Sequence, residues 1–357
     1  MKRLRVGLLF GGESPEHEIS IRSARSIAAG LDRDIYDLIP IGIDLDGEWH
    51  QIDGDHLLEI TSLTPRLAKE IALQSDLLSR SFLRSAIDVA FPILHGPYGE
   101  DGMVQGALSL MGIPFVGSGL LGSAICMDKD VTKRLLRAAG LPTPRSLAFE
   151  LDRVDTVRIE EVLGLPVIAK PARLGSSIGM TYVDSAAGLD EAIEAALCFD
   201  TKVIVEEVVR GREIECSVLG RRPPIASLPG EVVPKGAFYS YEAKYLDPDG
   251  AQLITPALLD DATVSAIQSM SIRAFEVLEC KGMARVDFFL KENGELLINE
   301  LNTIPGFTSI SLYPKLWEVS GISYTKLLTE LIQLALGEEK RASRMAPLTS
   351  IASPSYG

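Results

Sequence analysis

Residues 295–311 read ELLINELNTIPGFTSIS. Leu296-Leu297-Ile298 is an apolar run suited to a core strand, yet it continues into Asn299-Glu300-Leu301-Asn302 before Pro305-Gly306 breaks it. Side chains alternate between the two faces of a strand, so Glu300 and Asn302 project from the same side. Oxygen ligands converging from one face suit a hard cation such as Mg²⁺. The same residues also fit a solvated strand end, with Asn302 opening the turn that Pro305-Gly306 completes.

The preceding segment shifts the balance. Gly282–Leu290 (GMARVDFFL) reads as another strand, and Glu292-Asn293-Gly294-Glu295 as a hairpin turn. In that hairpin Asp287 lies across from the Glu300/Asn302 face, and Arg285 shares the face of Asp287. Carboxylates within an apolar strand need a metal or a cationic partner. Asp287, Glu300 and Asn302 beside an arginine therefore describe a phosphate–magnesium site.

The whole chain allows such a site. Its 357 residues suffice for two or three domains, and 46% hydrophobic with 24% charged residues is ordinary for a globular protein. A net charge of −14 with no basic stripe argues against a nucleic-acid partner. Cys126, Cys198, Cys216 and Cys280 are far apart in sequence and form no metal spacing, which fits a reducing cytoplasm. The apolar run after Met1-Lys2-Arg3 is too short for an export signal, and nothing approaches the roughly 20 apolar residues of a membrane span.

Residues 5–10 read as a buried strand followed by Gly11-Gly12 and a helix from about Glu16, the order of an open α/β sheet. Strands are expected at 35–43 and 87–94, with an Asp46-Gly47 turn between the first of these and Trp49. The stretch 53–85 reads as irregular with a helical middle. A helix is expected over 127–139. Segments 203–209, 214–219 and 225–233 read as one antiparallel group, followed by an aromatic-rich loop at 234–250. Long helices are expected at 260–279 and 323–336, with a polar tail from Gly337.

A phosphate grip would lie in KPARLGSSIG at 170–179. Lys170 supplies a point charge, while Gly175-Ser176-Ser177 supplies backbone N–H groups and hydroxyls. The loop is no P-loop, since GxxxxGK[ST] opening a helix is absent, and it also fits a plain hairpin connection. Lys129 opens a helix in Met127-Asp128-Lys129. Glu206, Glu207 and Glu213 end or follow an apolar strand, where an acid could take ribose hydroxyls. A dinucleotide oxidoreductase is a rival suggested by Gly11-Gly12, but GxGxxG is missing. A non-catalytic nucleotide-binding regulator would be expected to lack Asp287, Glu300 or Arg285, and all three are present.

In chain order, GGESPEHEIS (11–20), HGPYGEDG (95–102), MDK (127–129), KPARLGSSIGM (170–180), EEVVRGREIE (206–215), FYSYEAKY (238–245), ARVDFF (284–289) and NELNTIPGFTSIS (299–311) resemble the ATP-grasp superfamily, and within it the D-alanine–D-alanine ligases. The ordered set spans nearly the whole chain. One departure is Thr181-Tyr182, where relatives often carry a lysine.

The resemblance implies an α/β protein of ATP-grasp fold with an N-terminal open parallel, Rossmann-like domain. Its expected divisions are 1–122, 123–203 and 204–340, with a flexible tail at 341–357. It implies ATP-dependent joining of two D-alanines through an acylphosphate for peptidoglycan precursors, by a cytoplasmic homodimer. A D-alanine–D-lactate ligase or another ATP-grasp carboxylate–amine ligase is the alternative. Asp287, Glu300 and Asn302 would hold two Mg²⁺ ions, for which Mn²⁺ could substitute. Lys129, Lys170 and Lys244 would contact ATP phosphates together with Ser177, and Glu206, Glu207, Val209 and Glu213 would lie at adenine and ribose. Arg285 and the Gly306 N–H would stabilise the tetrahedral oxyanion. Glu16, with His95 close by, would bind the first D-alanine, and Ser311 with the Leu312 backbone the second. Ser176 and Tyr245 would tie the 234–250 loop to Glu16, closing the site against water.

Overall fold

The computed structural model describes residues 3–75, 80–234 and 251–342. Its first sheet contains β1 (Leu4–Gly11), β2 (Tyr36–Ile43), β3 (Trp49–Ile52), β4 (Ala72–Ser75) and β5 (Val89–Pro92), in the order β4-β3-β2-β1-β5. Strand β1 runs parallel to β2 and β5, while β3 and β4 add an antiparallel edge. The reversal is built into the turn after β2. The Asp44 carboxylate accepts the N–H groups of Asp46 and Glu48 at 2.9 and 3.0 Å and lies 3.0 Å from His50 Nε2. So short a connection can only join antiparallel strands.

Helix α1 (His17–Gly30) follows β1, and the 53–85 stretch contains α2 (Gly54–Glu59), α3 (Pro65–Ile71) and α4 (Arg80–Ala86) beside β4. Helix α5 (Met103–Met111) completes this part. The helix expected over 127–139 is α7 (Lys129–Ala138), and a further helix, α6 (Leu120–Met127), precedes it. Asp128 between them is extended, and its side chain caps α7 by accepting the N–H groups of Asp130 and Val131.

The second sheet joins β6 (Ser146–Glu150), β7 (Val167–Pro171), β8 (Thr181–Val183) and β9 (Lys202–Glu207) in the order β6-β9-β7-β8. Helices α8 (Thr156–Leu163) and α9 (Leu189–Leu197) share its core. Strand β9 was expected to group with the later strands, but its hydrogen bonds run to β6 and β7. The expected division at 203/204 falls inside this strand, which runs from Lys202 to Glu207.

The third sheet contains β10 (Arg212–Leu219), β11 (Ile225–Ala226), β12 (Gly230–Pro234), β13 (Ala251–Ile254), β14 (Met283–Leu290) and β15 (Leu296–Asn302). Its order is β13-β12-β10-β14-β15, with β11 paired to β10 and α10 (Asp261–Val277) packed into its core. Helices α11 (Leu312–Val319) and α12 (Tyr324–Ala342) follow. Helix α12 continues past Gly337, where a polar tail was expected to begin.

The C-terminal segment is anchored on the first sheet. Phe307, Tyr313, Trp317 and leucines of α12 share one core with Val6, Leu8, Phe10 and Phe91. Phe91 and Phe307 meet edge to face at 5.9 Å, and the Tyr324 hydroxyl donates to the Phe307 carbonyl at 3.2 Å. Each buried aromatic ring contributes about 2–3 kcal/mol. The turn after β15 is therefore held against the first sheet, which brings residues near 300 to residues near 16 and 95.

Candidate active site

Strands β14 and β15 pair as the sequence suggests, with Arg285 opposite Asn302 and Asp287 opposite Glu300. Beyond that point the register slips. Phe288 faces Ile298, so Asn299 has no opposite residue and forms a bulge. Without the bulge, Ile298 and Leu296 would share the face of Glu300 and Asn302. With it they turn into the core, where Ile298 is buried, and the two polar residues face the cleft. One inserted residue thus lets a continuous strand serve a core and a polar site.

Arg285 and Asp287 lie on that polar face. The Arg285 guanidinium contacts both Asp287 oxygens at 2.7 Å, and its Nε also lies 2.9 Å from Glu215 Oε2. Glu215 sits opposite Asp287 on β10. Lys129 Nζ lies 3.6 Å from Glu300 Oε2 and donates to the Leu174 carbonyl at 2.6 Å. Both carboxylates of the proposed metal set are thus ion-paired to cations.

Two adjoining cavities open here and share Lys129, Gly175, Ser176 and Glu300. The larger, ≈ 830 Å³, is lined by Lys170, Ser177, Glu206, Glu207, Val209 and Glu213. Glu206 is buried between two ammonium groups, with Lys133 Nζ 3.2 Å from Oε1 and Lys170 Nζ 3.0 Å from Oε2. Burial alone would raise its carboxyl, but Lys133 and then Lys170 hold it below the ordinary carboxylate range. The Glu207 carboxylate is committed elsewhere, pairing with Arg145 Nε at 2.8 Å. Ser176 and Ser177 both adopt positive φ, +54° and +60°. Such backbone costs about 1–3 kcal/mol per residue and is typical of ligand-binding loops.

The smaller cavity, ≈ 350 Å³, is lined by Glu16, His95, Arg285, Gly306, Ser311 and Leu312. Ser176 donates its hydroxyl hydrogen bond to Glu16 Oε1, which joins the Gly/Ser loop to the first sheet. His95 is buried, with Nδ1 3.1 Å from the Ile304 carbonyl and Nε2 3.2 Å from Ser23 Oγ. Burial works to lower its pKa, but Glu100, Glu16 and the Ile304 carbonyl raise it overall. His95 is therefore a brace between distant segments as well as a wall of the cavity. Ser311 precedes α11, so the Leu312 N–H is one of the unpaired donors at a helix start and suits a carboxylate. Gly306 approaches so closely that a Cβ there would lie 2.6 Å from Ser311 Oγ.

The structure thus brings together every residue proposed from sequence except three. Asp287 lines neither cavity. Lys244 and Tyr245, with the rest of the 235–250 loop, lie outside the described residues. Among the described residues no cluster of three or more His, Cys, Asp or Glu is placed to hold a metal. The donor set is two carboxylates and an amide, all hard oxygen donors. It fits Mg²⁺, which commonly takes one or two protein carboxylates and completes its shell with phosphate oxygens and water.

The family models described as D-ala D-ala ligase N-terminus and D-ala D-ala ligase C-terminus match residues 5–118 and 135–333. The chain belongs to the D-alanine–D-alanine ligase family. A D-alanine–D-alanine ligase of Oceanobacillus iheyensis is 46% identical, with 96% of this chain and 97% of that protein covered. D-alanine–D-alanine ligase A of Escherichia coli K12 is 44% identical, covering 98% and 100%. The solved D-alanine–D-alanine ligase of Coxiella burnetii superposes with a TM-score of 0.84 at 36% identity, covering 96% and 97%. A D-Ala:D-Ser ligase of Enterococcus faecalis gives 0.83 at 36% identity, covering 94% and 100%. The fold is accordingly ATP-grasp.

Sequence reasoning missed Lys133, Glu215 and Lys315. Lys133 stands four residues after Lys129 and so shares its helix face. Glu215 alternates with Glu213 along β10, and that period placed it on the cleft face. Lys315 lies one turn into α11 and lines the smaller cavity.

Proposed function

We propose that this chain joins two D-alanines into D-alanyl-D-alanine with ATP, as a step in making peptidoglycan precursors. The observation that carries this reading is the pair of adjoining cavities, one able to grip a nucleotide and one two small amino acids, meeting at Lys129 and Glu300. Lys129, Lys170 and the Ser176-Ser177 backbone neutralise and orient the phosphates. A carboxylate oxygen of the first D-alanine attacks the γ-phosphorus, ADP leaves, and an acylphosphate forms. The neutral amine of the second D-alanine attacks the acyl carbon, the nitrogen gives up its extra proton, and phosphate departs from the tetrahedral adduct to leave the amide. Arg285 and the Gly306 N–H face the oxygen on which negative charge develops.

Glu16 accepts the first substrate's ammonium, while Ser311 and the Leu312 N–H take the second substrate's carboxylate. Bound magnesium, two ions held by Asp287, Glu300 and Asn302 and replaceable by Mn²⁺, would supply further charge neutralisation. By resemblance Lys244 contacts the transferred phosphoryl group, and Tyr245 joins the Glu16–Ser176 pair. Among the described residues no helix is long and apolar enough to cross a membrane, and we place the reaction in the cytoplasm, where ATP is held. A homodimer through the first sheet's helices is supported by Met103 and Leu110 on α5 and Leu120 and Leu121 on α6, each more than half exposed.

The deciding experiment measures phosphate release from ATP by the purified chain over single D- and L-amino acids and over D-alanine paired with D-serine or D-lactate. D-alanine-dependent release with D-alanyl-D-alanine as product is expected. Release that requires D-lactate or D-serine as acceptor would replace this reading with that of another ligase.

A further inference from the structure

Among the described residues, Lys133 on α7 is the most deeply buried cation near the cleft, with its side chain 1% exposed. Besides Glu206 it reaches across to the third sheet, where its Nζ donates to the carbonyl of Asn299, the bulged residue, at 3.2 Å. Glu206 is the penultimate residue of β9 in the second sheet, and Asn299 precedes Glu300 on β15. One ammonium therefore touches both jaws of the nucleotide cavity.

Charge explains why a lysine should be buried there. Lys170 rests on Glu206 in the present structure, yet the proposed function requires its Nζ at a phosphate oxygen. Once Lys170 leaves, a fully buried carboxylate without a counter-ion would be strongly destabilised. We propose that Lys133 is a positioning residue: it remains with Glu206 so that Lys170 can turn to the phosphates. This inference rests on the ATP-ligase reading. Burial pushes the Lys133 ammonium down to about 8, against the upward pull of Glu206. It is the electrostatic strain expected of a charge kept in place for a function.

The test is a double-mutant cycle on the full chain, with Lys133→Met, Glu206→Gln and both together. It reads the Kd of a non-hydrolysable ATP analogue, the KM values for ATP and D-alanine, and thermal unfolding. Lys133→Met should weaken the analogue by about tenfold or more, because Lys170 is then retained by Glu206. The same change in the Glu206→Gln background should cost about twofold or less, since no carboxylate remains to hold Lys170. KM for D-alanine should stay near wild type in all variants. A single variant that fails to fold while the double variant folds also supports the assignment. An equal loss in both backgrounds, no loss in either, or a double variant that folds no better than an unfolded single one overturns it. If the wild type binds no ATP analogue and releases no phosphate with D-alanine, the ligase reading has failed instead.

Discussion

Arg285 grips Asp287, two residues later on the same strand, through Nε–Oδ1 and Nη2–Oδ2 contacts of 2.7 Å. The arginine assigned to the oxyanion thus covers a carboxylate assigned to the metal. Glu215, 2.9 Å from the same Nε, offers the guanidinium a second carboxylate when Asp287 turns to a cation. Arg285→Met should lower kcat by about 10²–10³-fold, the usual cost of losing an oxyanion donor. It should also tighten Mn²⁺ binding to the nucleotide-free protein, because Asp287 is uncovered. Mn²⁺ titration followed by paramagnetic resonance checks this, and unchanged metal affinity would refute the competition.

Glu300 faces Asp287 across the hairpin and lies 3.6 Å from Lys129 Nζ. Glu300→Gln keeps size and hydrogen bonding but removes the negative charge a two-metal site needs. D-alanine-dependent phosphate release should fall at least about 100-fold with the melting temperature nearly unchanged. Near-normal kcat at millimolar Mg²⁺ would remove Glu300 from the metal set.

Gly306→Ala tests the turn that follows. The new methyl would stand 2.6 Å from Ser311 Oγ and displace the hydroxyl assigned to the second substrate's carboxylate. The expected effect is a loss of about tenfold or more in kcat/KM for the acceptor D-alanine, with ATP affinity little changed. Initial rates at varied D-alanine concentration report it. A variant with wild-type kinetics would separate Gly306 and Ser311 from acceptor binding.

His95 supplies a pH dependence. Its pKa is raised in the folded protein by Glu100, Glu16 and the Ile304 carbonyl, in spite of burial. The stability it contributes through protonation is complete below its unfolded value of about 6.5 and is lost as pH rises through the higher folded value. Urea unfolding of wild type and His95→Gln at about pH 5.5 and about pH 8.5 should therefore show a larger difference at the lower pH. A difference that grew with pH would contradict the charged state of His95 in the fold.

Much of the site could be read from local chemistry. Strand alternation placed Glu300 with Asn302 and set Asp287 opposite, because a hairpin turn and a two-residue period are local properties. The Gly/Ser loop, Lys129 and Lys170 were likewise recognisable as groups that suit phosphate. The ordered motifs carried the family and the ATP-grasp fold.

What the sequence alone could not determine depends on contacts between distant segments. The bulge at Asn299 is invisible in the string, since it is the competition between a buried Ile298 and a cleft-facing Glu300 that forces it. Strand β9 looks like a neighbour of β10, but its edge is satisfied by β6 and β7, and hydrogen-bond pairing rather than chain proximity sets the sheet. Lys133 reads as an ordinary helix lysine until Glu206 and the Asn299 carbonyl arrive from two different sheets. The seating of Phe307, Trp317 and α12 on the first sheet decided the rest. It buries apolar surface contributed by both ends of the chain, and by that packing brings Glu16 and His95 to the strand that ends in Asn302.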